Sequence, residues 1–281
     1  MNLNRVHLNL GGGSILQIAN RTHTQMMSYI ITTPDKKIMV IDGGTYSEGD
    51  GLYLYNKLLE CGKKVDLWVI THAHDDHYGA LGWMLNNIQN FDIEICKLYF
   101  SFPSTEWHNR MDPSEIDFIR WFYEGVEKQG LKPYRLTAGT TLLCGQLKID
   151  VLTDGKDYQN YNSVNDTTSV LRVHFPKNDV LFLGDLGKDK GYDVINTIPH
   201  ELLRCDIVQM AHHGQNGADK AFYEVVKPKI CLYTAPDWLW DNDDGGGKGS
   251  GPWATLETRK WMDELGAIAS CPIAFGDYIF E

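Results

Sequence analysis

The segment Thr71–Gly79 places three histidines and two aspartates within six consecutive positions. Imidazole nitrogens and carboxylate oxygens are the usual protein ligands of hydrolytic zinc and of related divalent ions. A centre with two ions about 3.5–4 Å apart needs more than four such groups, and a carboxylate often bridges the ions. An exposed polar loop is the alternative, but the segment directly follows an apolar run. The expected ligands here are His72, His74, Asp76 and His77.

Three other apolar runs in the chain end in residues of the same chemical type. The first is followed by Asp42, the second by Asp185 and the third by the pair His212–His213. A single aspartate after a strand is more often a turn residue than a ligand. Turns alone do not explain four such clusters in one chain, so we expect their side chains to lie close together in the folded protein.

The hydrophobic pattern predicts the elements that would bring these clusters together. The predicted strands are apolar runs: Ser14–Ala19, Ser28–Thr32, Ile38–Ile41, Val65–Thr71, Ile149–Leu152, Ser169–Phe175, Asp179–Leu183, Asp206–Met210, Ile230–Tyr233 and Tyr278–Phe280. The predicted helices are Asp50–Cys61, one that opens at Asp112 and carries an apolar stripe, and Thr255–Leu265. We expect the ligands of the first cluster to converge from a loop after their strand. The order favours two mixed sheets packed face to face, with helices outside.

Composition limits the class of protein. The chain has 281 residues and a formal net charge of −11 without a basic stripe, which disfavours tight sequence-independent binding to nucleic acid. No apolar run reaches the ~18 residues of a membrane span, and the N-terminus lacks a signal-peptide pattern, so we expect a cytoplasmic protein. The six cysteines form no Cys-x-x-Cys pair and are expected to be buried free thiols. Without a repeat or a linker, residues 1–281 are expected to form a single domain.

The motif His-x-His-x-Asp-His and the order of the later clusters resemble the metallo-β-lactamase-fold hydrolases. Asp42 matches the family's early aspartate, Asp185 its bridging aspartate and His212–Gly214 its late histidine. The resemblance implies an αββα sandwich of two mixed β-sheets with flanking helices. It also implies two divalent metal ions, zinc or alternatively manganese, and hydrolysis by a metal-activated hydroxide. Asp42 would accept a hydrogen bond from a metal-bound histidine. A glycine commonly follows the ligand histidine in this fold, which favours His213; His212 would then act on the leaving group or face a neighbouring surface.

One position departs from the commoner family pattern. Many members carry a further histidine ligand between the first motif and the bridging aspartate, and aligning Ser169 puts Asn165 there. In this respect the chain resembles the hydrolase domain of competence DNA-uptake channel proteins and the phosphorylcholine esterases, which implies phosphodiester hydrolysis. Asn165 would bind weakly through its carbonyl oxygen, or would orient a phosphate or a water. The expected catalytic residues are Asp76, Asp185, Asn165 and His212.

Three functions are compatible with these residues. The first is a metal-dependent phosphodiesterase or related phosphoester hydrolase acting on a small-molecule or phosphodiester substrate. The second is a lactonase or β-lactamase acting on a cyclic acyl substrate, which Asn165 disfavours. The third is a non-catalytic binding or DNA-uptake accessory module, which the complete first motif disfavours. Aromatic residues in two predicted loops, Trp107, Trp238 and Trp240, would either enclose a cationic group or pack on the protein body. The oligomeric state stays open.

Overall fold

The computed structural model describes residues 3–155 and 163–281. Within those residues the strands are β1 Leu3–Val6, β2 Ser14–Gln17, β3 Tyr29–Thr32, β4 Ile38–Ile41, β5 Lys64–Val65, β6 Leu67–Val69, β7 Glu94–Ile95, β8 Leu98–Phe100, β9 Pro133–Arg135, β10 Thr141–Cys144, β11 Leu147–Val151, β12 Leu171–His174, β13 Asp179–Phe182, β14 Ile207–Gln209, β15 Ile230–Tyr233, β16 Ala269–Pro272 and β17 Asp277–Phe280. The helices are α1 Glu48–Glu60, α2 Asp75–Asn87, α3 Thr105–Met111, α4 Ile116–Lys128, α5 Lys188–Thr197, α6 His200–Leu203, α7 Lys220–Val226, α8 Asp237–Trp240 and α9 Thr255–Glu264.

Two large mixed sheets form the centre of the molecule. The first has the strand order β1-β17-β2-β3-β4-β6-β8-β9, and the second has the order β10-β11-β12-β13-β14-β15-β16. Buried apolar side chains of both sheets meet between them, and the rings of Tyr29 and Phe182 touch there with centroids 5.1 Å apart. Two further apolar clusters lie between each sheet and its outer helices. The four layers confirm the predicted αββα sandwich.

The sequence pattern explains which strands lie at the centre. All four residues of β4 are buried, as a strand with covered faces on both sides requires. On α4 the apolar stripe at helical spacing is buried, as predicted: Ile116, Ile119, Phe122 and Val126. The edge strand β9 has three exposed residues and no apolar run, which is why the sequence did not predict it.

Several local predictions were wrong. The run Val65–Thr71 is interrupted at Asp66, whose side chain accepts a hydrogen bond from the backbone N–H of Ile38, so β5 and β6 are separate. Residues 105–111 form the helix α3 rather than a loop, because the Ser104 hydroxyl caps its first turn. Of the six free cysteines, Cys61 and Cys96 are exposed, and the other four are buried.

In the part of the chain that the structure describes, no helix is both long and apolar enough to cross a membrane.

The carboxyl ends of β4, β6, β13 and β14 lie at one edge of the sandwich. β4 runs parallel to β6, and β13 runs parallel to β14, so each pair ends on the same side. A hydrogen bond of 2.9 Å from the Ser169 N–H to the Thr71 carbonyl joins the two sheets there. The residues that follow these four strands are therefore brought together.

Candidate metal centre

The first histidine cluster spans the short loop after β6 and the start of a helix. His72 precedes α2, His74 occupies its N-cap position, and Asp76 and His77 belong to its first turn. Two acidic residues in a first turn are favourable because the free N–H groups and the helix dipole carry partial positive charge there. The expectation of a loop holds for His72 and His74 but was wrong for Asp76 and His77, whose relative positions the helix fixes.

Six side chains form two groups of possible metal ligands. One group is His72, His74 and Asp185, and the other is Asp76, His77 and His213; in each, the ligand atoms lie within 4.8 Å of one another. Asp185 lies between the groups. Its Oδ1 is 3.1 Å from His77 Nε2, and its Oδ2 is 3.5 Å from His213 Nε2 and 3.8 Å from His72 Nε2. A carboxylate in this position has the geometry to bridge two ions.

Several donor atoms of this cluster are buried and, among the described residues, form no hydrogen bond of good geometry, although Asp76 Oδ2 lies 2.9 Å from His213 Nε2 and Asp185 Oδ1 lies 3.1 Å from His77 Nε2. They are Asp76 Oδ2, His77 Nε2, Asp185 Oδ1 and His213 Nε2. Buried polar atoms are nearly always hydrogen-bonded, so four that face a common space need another partner. Imidazole nitrogens with carboxylate oxygens form a suitable donor set for zinc and similar divalent ions. The residues therefore fit a pair of divalent metals.

Other side chains orient the histidines from behind. The Nδ1 of His77 lies 2.7 Å from Asp42 Oδ2, and the Nδ1 of His213 lies 2.8 Å from the Thr234 hydroxyl. Such contacts set the ring tautomer and leave the opposite nitrogen free for a metal. Asp42 was predicted in this role. Thr234 was missed, although its position directly after a predicted strand was a signal.

His74 has a different orientation from the other histidines. Its Nδ1 lies 3.1 Å from His72 Nε2, so this nitrogen faces the shared space. Its Nε2 faces Asp112 Oδ2 at 3.7 Å. Asp112, which the sequence predicted only as a helix start, thus contacts a candidate ligand.

Without metal, the cluster is a network of buried charges. Burial disfavours protonated His77, but the carboxylates of Asp185, Asp76 and Asp42 together hold its pKa well above the ordinary value. Burial likewise opposes the charge on His213, but Asp185 and Asp76 raise its pKa to about 9. Despite its own burial, the pKa of Asp185 is held well below the ordinary value by His77, His213 and His212. Divalent ions would replace these protons as the positive partners of the carboxylates.

The consecutive histidines differ in position because of an unusual backbone. His212 and His213 both have positive φ, 50° and 58°, and Gly214 follows with φ 84°. A Cβ at Gly214 would lie 2.3 Å from the Tyr233 ring, so the glycine permits this turn. The turn directs His213 into the buried group, while His212 stays partly exposed, with Nε2 3.7 Å from Asp185 Oδ2. Residues in left-handed conformation cost about 1–3 kcal/mol each and often occur at functional sites.

Asn165 lies beside His212 on the rim of the cluster. Its Nδ2 is 3.4 Å from His212 Nε2, and its buried Oδ1 has no hydrogen-bond partner among the described residues. The expected proximity of Asn165 to the site is therefore observed. Whether either residue acts in catalysis stays a prediction.

A cavity of about 420 Å³ opens over the cluster. Its wall includes Asp76, Asp185 and His212 and, further out, Trp238 and Glu115. Burial, together with the neighbouring Asp75 carboxylate, raises the pKa of Glu115 to about 7. Of the two alternatives considered for the other tryptophans, the structure shows packing on the protein body, because Trp107 and Trp240 are buried.

A larger cleft, of about 510 Å³, lies at the opposite ends of β13 and β14. Its wall contains Arg172, Asp179 and Arg204. Neither group of possible metal ligands found among the described residues lies there. The smaller cavity is therefore the candidate active site.

Comparisons with known proteins agree with this geometry. The sequence profile of the metallo-beta-lactamase superfamily matches residues 21–221, which is more than half of the chain. A curated relative, ComE operon protein 3 of Bacillus subtilis (strain 168), is 23% identical over 174 residues. The match covers 62% of this chain but only 20% of the relative's length.

Solved structures show the same fold at low sequence identity. The metallo-beta-lactamase fold protein YhfI from Bacillus subtilis superposes with a TM-score of 0.56 at 11% identity, covering 95% of this chain and 99% of YhfI. CmlA, a diiron beta-hydroxylase from Streptomyces venezuelae, superposes with a TM-score of 0.53 at 12% identity, covering 92% of this chain and 52% of CmlA. At these identities the likeness concerns the fold alone.

Proposed function

Because the chain belongs to the metallo-beta-lactamase superfamily, we propose that it is a metal-dependent hydrolase of phosphoesters, with phosphodiesters as its substrates. The observation that carries this proposal is the convergence of six donor side chains, with Asp185 between two groups, under an open cavity. We propose that His72, His74 and Asp185 hold one divalent ion and that Asp76, His77, His213 and Asp185 hold a second. Zinc suits this donor set best, and manganese is the alternative.

The reaction divides between the ions and the protein. Two divalent ions at this centre would supply an activated water near neutral pH and would neutralise charge that develops on the phosphoryl group. The chain's own residues position these components. Asp185 and Asp76 contribute carboxylate ligands to the two groups. Asp42 keeps the His77 proton on Nδ1 through its 2.7 Å contact. A water oxygen forms the new P–O bond, the ester oxygen leaves with the electrons of the old one, and a proton ends on the departing group.

Residues on the rim would handle the phosphoryl oxygens and the leaving group. His212 lies next to Asp185, and Asn165 lies beside His212; both residues are outside the two groups of ligands. An amide N–H and an imidazole N–H donate hydrogen bonds suited to phosphoryl oxygens or to the proton required by a leaving alkoxide. The neutral amide of Asn165, where many relatives carry a histidine, supports phosphoesters over lactones or β-lactams.

The fold by itself does not decide the chemistry. CmlA has the same fold and is a diiron beta-hydroxylase, so the proposal rests on the site. The match to ComE operon protein 3 covers only 20% of that protein's length. The competing function for this chain is an accessory module that binds without catalysis. We also propose that the chain works as one unit, because β1 near one end pairs with β17 near the other.

A direct assay tests the proposal. Protein loaded with zinc or manganese is offered bis(p-nitrophenyl) phosphate, a lactone and a cephalosporin, and its metal content is measured alongside. We expect about two ions per chain and selective diester hydrolysis. The double variant His72→Ala, His74→Ala should lose bound metal and diester hydrolysis. A matched double variant of exposed histidines, His7→Ala, His200→Ala, should keep its metal and its activity. Faster hydrolysis of the lactone or cephalosporin would favour the second function, and bound metal without any turnover would favour the binding module.

A further inference from the structure

The cleft of about 510 Å³ at the starts of β13 and β14 collects positive charge. We term it the basic cleft, because four cationic side chains line it: Arg172, Lys177, Arg204 and Lys227. They come from β12, from the segment after β12, and from the residues directly after α6 and α7. Two carboxylates, Asp179 and Asp206, also line the cleft. An excess of cations in one place is unexpected in a chain whose formal net charge is −11.

Both carboxylates of the basic cleft already have positive partners. Asp179 accepts a hydrogen bond of 2.9 Å from Arg172 Nε, and its Oδ1 lies 2.9 Å from His174 Nδ1. Asp206 pairs at 2.9 Å with Lys229, which lies outside the wall of the cleft. By contrast, the side chains of three cations form neither a hydrogen bond nor an ion pair with any residue that the structure describes: Lys177, Arg204 and Lys227. The cleft therefore carries three positive charges that the protein does not balance.

Two of the cations are fixed at their bases. The Arg172 side chain is only 11% exposed, and it donates hydrogen bonds to the Asp179 carboxylate and to the Glu201 carbonyl. These contacts hold its guanidinium in the wall. The backbone N–H of Lys177 donates a 3.1 Å hydrogen bond to the Leu10 carbonyl. A Cβ at Gly11 would lie 2.9 Å from Lys177 Cγ, so the glycine lets the stem of this lysine lie close to the chain.

Helix ends explain part of this pattern. Arg204 follows the last turn of α6, and Lys227 follows the last turn of α7. A helix C-terminus carries partial negative charge, so a cation there is favourable without any ligand. However, α6 has four residues and α7 has seven, and neither helix accounts for Lys177. Helix ends alone therefore do not explain why these cations share one concave surface.

The shape of the basic cleft suits a small anionic molecule. Its wall includes the buried apolar residues Phe175 and Val226, and apolar walls strengthen the field of nearby charges inside a cleft. Its volume lies within the range of about 300–1,000 Å³ that is typical of small-molecule sites. Guanidinium and ammonium groups are favoured partners of phosphate, which offers several accepting oxygens. A nucleic acid is held through many phosphate contacts, and three unbalanced cations are too few for that at physiological salt.

We propose that the basic cleft binds a small molecule that carries a phosphate group, at a site separate from the candidate metal centre. Asp185 and His213 follow the carboxyl ends of β13 and β14, whereas the cleft lies at the starts of the same strands. The two cavities also differ in charge, because no lysine or arginine among the described residues lines the cavity over the metal centre. The inference does not depend on the proposed function.

A binding measurement with phenylphosphonate tests the inference. This compound has the charged group of a phosphate ester but contains no ester bond, so it cannot be hydrolysed in the way proposed for diesters. It is titrated by calorimetry into the zinc-loaded protein at about 0.15 M salt, which screens weak surface attraction. The same titration is made with the His72→Ala, His74→Ala variant, whose basic cleft is intact. We expect saturable binding of one phenylphosphonate per chain to persist in that variant.

Variants of the basic cleft assign the bound phosphonate to it. Lys227 has a left-handed backbone, with φ 54° and ψ 56°, and glycine is the usual residue in that conformation at a helix end. Lys227→Gly therefore removes a cation without adding backbone strain. Combined with Arg204→Gln, it should weaken phenylphosphonate binding at this site about tenfold or more, because two charged hydrogen-bond donors are lost. Diester hydrolysis should stay at the parent rate.

A matched control removes a comparable lysine outside the basic cleft. Lys36 is exposed, has φ 65° and forms no ion pair with a described residue. Lys36→Gly should bind phenylphosphonate as the parent protein does.

Three outcomes would overturn the inference. They are loss of phenylphosphonate binding in the His72→Ala, His74→Ala variant, equal binding by the parent and the Lys227→Gly, Arg204→Gln variant, and tighter binding of a single-stranded oligonucleotide that the same two substitutions weaken. Binding at the basic cleft in a protein that hydrolyses no diester would support the inference while the hydrolase proposal fails.

Discussion

Replacing Asp42 by asparagine should weaken metal binding even though Asp42 is not a ligand. Its carboxylate is fully buried and accepts three hydrogen bonds: from the Thr71 N–H at 2.7 Å, from the Thr71 hydroxyl at 2.8 Å and from His77 Nδ1 at 2.7 Å. A carboxamide has one accepting oxygen and one donating nitrogen. In the parent protein two of the three hydrogen bonds reach Oδ2 and one reaches Oδ1. No orientation of the amide therefore satisfies all three donors.

Each orientation of the amide has its own cost. If its nitrogen faces His77, the ring must carry its proton on Nε2, which removes the lone pair that would bind metal. If the nitrogen instead faces the Thr71 N–H, two buried donors oppose each other, which costs about 1–3 kcal/mol of folding free energy. Loss of a group that orients a metal-binding histidine typically weakens affinity 10–100-fold, or about 1.4–2.7 kcal/mol. We expect Asp42→Asn to weaken zinc binding by such a factor.

The measurement is competition for zinc with a chromophoric chelator, with urea unfolding of the metal-free protein alongside. Asp66→Asn is the matched control. Its side chain accepts a backbone N–H from Ile38 and pairs with Lys37, at the opposite end of the same strands. It should keep the parent zinc affinity. An Asp42→Asn protein that folds and binds zinc as tightly as the parent would refute the role assigned to the His77–Asp42 contact.

Three further predictions concern the ligands and the rim. Asp185→Asn should lower diester turnover by about 100-fold or more, because a neutral amide cannot replace a bridging carboxylate; a parent-like rate in steady-state kinetics would show that Asp185 does not bridge. Asn165→His should raise metal retention under chelation and lower diester hydrolysis, because a new donor next to His212 would compete with substrate oxygen; no change in either measurement would remove Asn165 from the site. The pKa of His213 is raised to about 9 in the metal-free fold. The protonated ring therefore stabilises that fold fully below pH ~6.5, and the stability should decline as the pH rises through about 9; urea midpoints of the chelator-treated protein that rise over this range would contradict the assignment.

Sequence reasoning located the candidate ligands because they follow apolar strands or share one short motif. Asp185 and His213 come a few residues after the buried strands β13 and β14, and parallel strands place such residues at one edge. The choice between His212 and His213 was harder. Two successive left-handed residues break the side-chain alternation of a strand. A pattern based on that alternation therefore cannot tell which ring turns inward.

The remaining errors come from contacts between residues that are far apart in the sequence. Asp112 faces His74 across 38 positions of chain because α4 packs against α2, and no local pattern reports that packing. The exposed strand β9 is held by pairing with β8, not by its own apolar residues. Trp107 was expected in a loop, but the Ser104 cap starts a helix that buries it.

The donor set is unevenly distributed along the chain, and this affects how metal couples to folding. Four of the six side chains lie within residues 72–77, whereas Asp185 and His213 come from strands of the other sheet. A denatured chain keeps the first four close together, so it retains some affinity for the same ions. Only the difference between the affinities of the native and denatured states stabilises the fold. Excess zinc should therefore raise the melting temperature by less than the native affinity alone implies. The stabilisation that does appear comes mainly from Asp185 and His213, the two donors through which a bound ion would tie the second sheet to the first.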